Sequence, residues 1–221
     1  MAHSSLPLPA TYLITSGETT PPLTRSQSEE FARLLALITA AVRARVNLVQ
    51  LREKNLTARS LYELTTRAAA ITRGSATRLL VNDRADIARA AHADGVHLTT
   101  RSLEAHTIRR AFGDDFLIGV STHSVMEARA ALEGGADFAT FGPVFDTASK
   151  RVYGPAVGLD ALQEAALSLS PFPLFALGGI TLGNAAAALR AGASGVAAIR
   201  LFNDPHTLDA TVRAIRGDQE D

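Results

Sequence analysis

Several short stretches of this chain carry side chains suited to chemistry on charged small molecules. Gln50, Arg52 and Lys54 stand at alternate positions in Val49-Gln50-Leu51-Arg52-Glu53-Lys54. Alternate residues of an extended strand share a face, so the spacing predicts that the two cations point the same way. Asn82-Asp83-Arg84 follows a second apolar run and Thr99-Thr100-Arg101-Ser102 a third. Ser121-Thr122-His123-Ser124 sets hydroxyls around a histidine, and Thr147 and Lys150 lie in a long Gly- and Pro-containing stretch from 142 to 157. Gly178-Gly179 and Ile199-Arg200 complete the series. Cations, small hydroxyls and glycines together suit a phosphorylated small molecule. Guanidinium and ammonium groups neutralise phosphate, and backbone N–H groups at a glycine turn cradle it. Each stretch also has a plainer reading. Gly178-Gly179 suits an ordinary strand-to-helix turn, Asn82-Asp83 a helix N-cap, and a lone histidine such as His123 a packing or capping role. His97 sits inside a strand-like run and reads as structural. His92 and His106 fall in helical stretches and take no role. Asp94 and Asp137, each just before a strand, read as turn or capping residues.

Residues so far apart need a scaffold that gathers them, and the hydropathy pattern supplies one. Strand-like apolar runs occur at 12–15, 47–52, 78–82, 95–98, 116–120, 137–141, 174–177 and 195–199. Between them lie Ala/Leu/Arg-rich stretches with apolar residues at i, i+3 and i+4, which predict amphipathic helices over 28–46, 57–73, 85–93, 103–112, 125–132, 160–167, 184–189 and 205–215. The strands are continuous apolar runs, as in a parallel sheet covered on both faces. Strict β–α alternation at this length predicts a single closed (β/α)8 TIM barrel over residues 11–216, with flexible tails at 1–10 and 217–221. An open doubly wound sheet is the competing topology, but no Gly-x-Gly-x-x-Gly follows the first strand. In a barrel, chemistry sits at the C-terminal ends of the strands, where every stretch named above falls.

Composition narrows the function. The chain has 221 residues, no cysteine, and 22 Lys+Arg against 22 Asp+Glu. Zero cysteines exclude disulfides, thiolate metal sites and cysteine nucleophiles. Balanced charge with no local basic patch argues against nucleic acid as a partner. No stretch approaches the roughly 18 apolar residues of a spanning helix, and the opening residues lack the basic and apolar regions of a secretory signal. The expectation is a cytoplasmic protein with no membrane partner.

The chain resembles the family of thiamine-phosphate synthases and their TenI-like relatives, the thiazole tautomerases. The resemblance rests on Val49-Gln50-Leu51-Arg52-Glu53-Lys54, Leu80-Val81-Asn82-Asp83-Arg84, Asp94-Gly95-Val96-His97-Leu98, Gly119-Val120-Ser121-Thr122-His123-Ser124, Gly135-Ala136-Asp137, Phe141-Gly142-Pro143-Val144-Phe145-Asp146-Thr147 and Leu177-Gly178-Gly179-Ile180, in family order across nearly the whole chain. It implies a TIM barrel acting on thiazole phosphate in thiamine biosynthesis. For a synthase, it implies that Gln50, Arg52, Lys54 and Asn82 hold a pyrimidine pyrophosphate, with Thr147 and Lys150 on a closing loop and Asp83 as a magnesium ligand. It makes Ser121 a substrate-binding residue, puts His123 close to the ring, and sets Gly178, Gly179, Ile199 and Arg200 at the thiazole phosphate. Family barrels often self-associate, which makes a homodimer a further implication.

The resemblance also shows departures. The family pattern wants a second metal-binding aspartate after the fourth strand, and Ser102 stands there beside Arg101. A neutral hydroxyl is a poor substitute for a carboxylate on a hard dication. A serine expected after the eighth strand is replaced by Arg200. These departures favour the tautomerase branch, which aromatises a dihydrothiazole phosphate by proton transfer, needs no metal, and requires an acid–base group near neutral pKa, here His123. The Mg-dependent synthase, which releases pyrophosphate, is the alternative. A silent barrel that only senses the phosphorylated thiazole is a third reading.

Overall fold

The structure, a computed structural model, describes residues 7–19, 28–146 and 156–217. Its strands are β1 (Ala10–Ile14), β2 (Leu48–Leu51), β3 (Arg78–Asn82), β4 (Gly95–Leu98), β5 (Leu117–Thr122), β6 (Phe138–Phe141), β7 (Leu174–Leu177) and β8 (Gly195–Ala198). Its helices are α1 (Glu29–Arg43), α2 (Ala58–Thr72), α3 (Ala85–Ala90), α4 (Ala105–Phe112), α5 (Val125–Glu133), α6 (Gly158–Leu169), α7 (Leu182–Arg190) and α8 (Leu208–Arg216). The strands pair in parallel, each with its neighbours in the chain, and β1 closes on β8 through Tyr12 opposite Ala197. This is a (β/α)8 barrel, as the alternation predicts.

Period-two geometry explains why the strands read as unbroken apolar runs. One set of side chains, including Leu13, Val49, Val81, Val96, Ile118 and Val196, faces the helices in the main core. The alternate set, Tyr12, Leu48, Leu80, Phe138, Phe175 and Ala197, fills the barrel interior. There Tyr12, Phe138 and Phe175 meet edge-to-face, with ring centroids 5.3 to 5.8 Å apart, a favoured arrangement for aromatic quadrupoles. Gly119 makes room for them, since a Cβ there would lie 2.3 Å from Cζ of Phe138 and 2.8 Å from Nδ1 of His97.

Caps set the helix starts. Ser28 accepts from the Phe31 N–H, Thr57 from Ser60, and Ser124 from Glu127, each satisfying a donor that the first turn leaves open. Several boundaries are tighter than the periodicity predicts. Helix α1 stops at Arg43 because Arg45 turns left-handed at φ 56° and sends the chain into β2. Helix α3 stops at Ala90, and His92, expected in that helix, sits in the following turn at φ 58°. Strand β2 ends at Leu51, since the Arg52 N–H is diverted to the Thr15 hydroxyl. Beyond β8, Arg200 to Phe202 form a short 3-10 turn.

The face opposite the mouth is tied by side chains. Asn47 Oδ1 accepts from the Thr11 N–H, Asp94 from Leu79 and Asp137 from Ile118. Each acceptor stands just before an even-numbered strand and closes an N–H of the strand preceding it. Asp94 and Asp137 are thus structural, as their position suggests, and Asp137 also pairs with Arg109 at 2.7 Å. No helix among the described residues is long and apolar enough to cross a membrane.

Candidate active site

Three hydrogen-bonded groups occupy the C-terminal mouth. The first crosses β2, β3 and β4. Gln50 and Asn82, both buried, are joined by Gln50 Nε2 donating to Asn82 Oδ1 at 3.1 Å. Asn82 Nδ2 then donates to Asp83 Oδ2 at 2.7 Å. The other oxygen of Asp83 accepts from the hydroxyls of Thr99, at 3.1 Å, and Ser102. Asp83 itself is exposed and held at φ 60°, a costly conformation for a residue with a Cβ and one that clusters at functional sites. The Asn82-Asp83 pair is therefore not a simple helix cap; helix α3 starts without any side-chain cap bond.

The second group lies deeper. The Tyr12 hydroxyl is 3.0 Å from Nδ1 of His97, whose Nε2 is 2.9 Å from the Ser121 hydroxyl. Burial drives the His97 pKa down to about 4 and raises that of Tyr12 well above its ordinary value, so both rings are neutral at pH 7. A neutral imidazole holds one N–H and one lone pair, which links the phenol to the serine in a single chain. Position within a strand marked His97 as structural; what it supports is Ser121, at the edge of the mouth. Thr140, next to Ser121 across the β5–β6 register, carries a buried hydroxyl with no partner among the described residues.

The third group surrounds Arg52. Lys54 does not share a strand face with it, because the chain leaves β2 at Leu51 and turns at Lys54. Between the two cations Glu53 is buried and accepts from Thr15 at 2.5 Å and Thr19 at 2.8 Å. Sequence reasoning passed over Glu53, whose partners lie 34 and 38 residues away. A cleft of about 1040 Å³ opens beside it, lined by α1, the segment after β1 and the turn before α8, with Arg33 and His206 in its wall.

On the opposite rim, His123 is exposed and its Nδ1 contacts the Gly142 carbonyl. A carbonyl only accepts, so Nδ1 carries the proton and Nε2 of the neutral ring is the basic position. Gly178 and Gly179 adopt φ 96° and 66°. A Cβ at Gly178 would lie 2.5 Å from Pro143 and one at Gly179 2.7 Å from Phe145. The pair thus serves as a turn and as a packing surface, and it leads into α7, capped by Thr181 and Asn184. Ile199 and Arg200 follow β8, where Asn203 ties the Ile199 and Ile14 carbonyls together at 2.6 and 2.7 Å. Thr147 and Lys150 lie outside the described residues.

No group of three or more His, Cys, Asp or Glu side chains able to hold a metal occurs among the described residues. At the position where magnesium is implied, Asp83 supplies a carboxylate whose two oxygens both accept from neutral donors, and Ser102 stands where the second carboxylate is implied. Magnesium binds through one or two carboxylates with substrate phosphates. These residues do not make the two-carboxylate site that the resemblance implies.

The model of the thiamine monophosphate synthase family matches residues 21–202. The chain belongs to that family. Family membership makes it an enzyme of thiamine biosynthesis. Thiamine-phosphate synthases of Roseiflexus sp. (strain RS-1) and Anaeromyxobacter dehalogenans (strain 2CP-C) are 38% and 43% identical over 182 and 178 residues, covering 82% and 79% of this chain and 77% and 79% of theirs. A Geobacter sulfurreducens protein is 49% identical over 173 residues, 78% of this chain and 81% of its own. Among solved structures, a thiamine phosphate pyrophosphorylase from Pyrococcus furiosus superposes with a TM-score of 0.77 at 27% identity, over 95% of this chain and 94% of that one. These family members are named for the synthase reaction. They favour the reading that the sequence alone placed second, and none of the names points to the tautomerase branch.

Proposed function

We propose that this protein is a thiamine-phosphate synthase: it joins a pyrimidine pyrophosphate to a thiazole phosphate and releases pyrophosphate. The observation that carries this reading is the two-sided mouth. Arg52, Lys54 and the Gln50–Asn82–Asp83 network stand on the β2–β3 side, and the Gly178-Gly179 turn stands across the barrel on β7. Two phosphorylated substrates need two such places. On the first side, buried amides of Gln50 and Asn82 present donors and acceptors to a heteroaromatic ring. The cations of Arg52 and Lys54 neutralise the charge that grows on a departing pyrophosphate, the kind of fixed electrostatic stabilisation that lowers such barriers most. The neutral Tyr12–His97–Ser121 chain fixes the Ser121 hydroxyl between the two sides. The Gly178-Gly179 turn, the start of α7 and Arg200 hold the second phosphate. Thr147 and Lys150, in the stretch after β6, remain candidates for contact with the pyrophosphate. Asp83 offers one carboxylate there rather than two, so Arg52 and Lys54 carry a larger share of the charge balance.

A second reading keeps Ser102 and His123 at its centre. A basic Nε2 on His123 and a neutral hydroxyl in place of a metal-binding aspartate suit a metal-independent thiazole phosphate tautomerase. A paired assay separates the two. One arm supplies pyrimidine pyrophosphate, aromatic thiazole phosphate and Mg²⁺ and follows pyrophosphate release; the other supplies the dihydrothiazole phosphate without metal and follows aromatisation. Pyrophosphate release is the expected result. Aromatisation alone, lost in His123→Asn, would transfer the assignment to the tautomerase.

A further inference from the structure

Glu53 is a buried carboxylate with no place in the chemistry described above. Among the described residues its donors are two hydroxyls, both from the segment after β1: Thr15 Oγ1 to Oε1 at 2.5 Å and Thr19 Oγ1 to Oε2 at 2.8 Å. The Thr15 hydroxyl has one proton to donate, and it donates it in a hydrogen bond to the carboxylate. Its lone pairs are then turned toward the Arg52 N–H, which donates to Oγ1 at 2.9 Å. The same segment is fastened at two more points, Thr15 N–H to the Gln50 carbonyl at 3.0 Å and Asn55 Nδ2 to the Thr19 carbonyl at 3.1 Å. Between them Gly17, at φ 76°, lies so close to Arg52 that a Cβ there would be 2.7 Å from its carbonyl oxygen and 3.2 Å from its guanidinium Nη1.

We infer that Glu53 is a positioning residue that aims the Arg52 guanidinium at a diphosphate, acting through the polarity it imposes on the Thr15 hydroxyl. The carboxylate orders the segment from Thr15 to Thr19 against the end of β2. That segment gives Arg52 both a fixed backbone, through the Thr15 bond, and a backbone wall at Gly17 for its guanidinium. A guanidinium held in this way loses little conformational freedom when it binds phosphate oxygens, and a loose one loses more. The inference rests on the proposed pyrophosphate site.

Calorimetric titration with inorganic pyrophosphate on the intact protein tests it without turnover. Glu53→Gln and Thr15→Val are each expected to weaken pyrophosphate binding about tenfold, the lower end of the scale for losing one hydrogen bond to a charged group. Thr15→Ser, which keeps the hydroxyl, restores it. In an Arg52→Ala background Glu53→Gln adds less than about a twofold loss, because the two changes act through one contact. Unchanged binding in Thr15→Val and Glu53→Gln overturns the inference, as does a full additional loss in the Arg52→Ala background, which would mark a general structural role. Should Glu53→Gln fail to fold, Thr15→Val against Thr15→Ser decides alone. Wild-type protein that takes up no pyrophosphate removes the proposed function itself, and the inference with it. Pyrophosphate binding that is lost in Arg52→Ala but intact in Glu53→Gln removes only the inference.

Discussion

The Ser102 hydroxyl donates to Oδ1 of Asp83, across the gap between the β3 and β4 loops. Serine therefore faces the carboxylate from the place where the family pattern puts a second acid. The contact leaves Asp83 with three of its roughly four acceptor positions engaged, so a cation competes with these donors for the carboxylate.

Metal affinity follows from that contact. Wild-type protein is expected to bind Mn²⁺ weakly, as read by electron paramagnetic resonance of the free ion, and Ser102→Asp to bind it at least about tenfold more tightly. Asp83→Asn should abolish the gain. Equal binding by wild type and Ser102→Asp would mean that the hydroxyl does not limit the site.

The buried His97 makes stability depend on pH. Its folded pKa of about 4 lies below the ordinary value of 6.5, so between those values the unfolded chain binds more protons than the folded one. Its contribution is complete above about pH 6.5 and is lost as pH falls toward 4, by roughly 3 kcal/mol in all. Urea denaturation at pH 7 and pH 4.5 should show wild type losing more stability than His97→Gln over the same interval.

Gly119 and Phe138 share one space. Gly119→Ala sets a methyl group 2.3 Å from the Phe138 ring, and overpacking of this kind costs about 1–3 kcal/mol. Adding Phe138→Leu should recover part of the loss. Thermal melts of the single and double variants measure the coupling. If the two losses simply add, the ring does not move to meet the methyl.

The two ends of the barrel should separate in assay. Asp137 accepts from the Ile118 N–H at 2.6 Å and from Arg109 at 2.7 Å, far from the mouth. Asp137→Ala is expected to lower stability by about 2 kcal/mol, through a charged hydrogen bond and an N–H left unmet, with kcat unchanged at a temperature where the variant is folded. A fall in kcat there would tie the closed end to the chemistry.

The barrel was legible because its strands are buried on both faces and its helices on one, two patterns that hydropathy separates well. The rim was legible as a set of residue types: Gln50, Arg52, Asn82, Asp83 and Ser121 all lie where a barrel reading sends them. Pairings were not. Spacing placed Arg52 and Lys54 on one face, but Thr15, from the segment after β1, takes the Arg52 N–H, and β2 ends at Leu51 before either cation. Nothing local to Glu53 announces partners 34 and 38 residues distant. His97 was legible as buried and structural, while its link to Ser121 depends on the register of β4 against β5, which no periodicity encodes.

The bonds at the closed end run over short chain separations, 36 residues for Thr11 and Asn47, 15 for Leu79 and Asp94, 19 for Ile118 and Asp137. They group β1 with β2, β3 with β4 and β5 with β6, and before β8 Ser194 joins its neighbours by backbone bonds to Leu174 and Ala10 instead. Three of the four two-stranded quarters are thus latched within themselves by a side chain, and all four are joined by sheet pairing. A circular permutant opened between α2 and β3 keeps every latch short-range. One opened between β1 and β2 turns the Thr11–Asn47 latch into a contact between opposite ends of the chain and should fold more slowly.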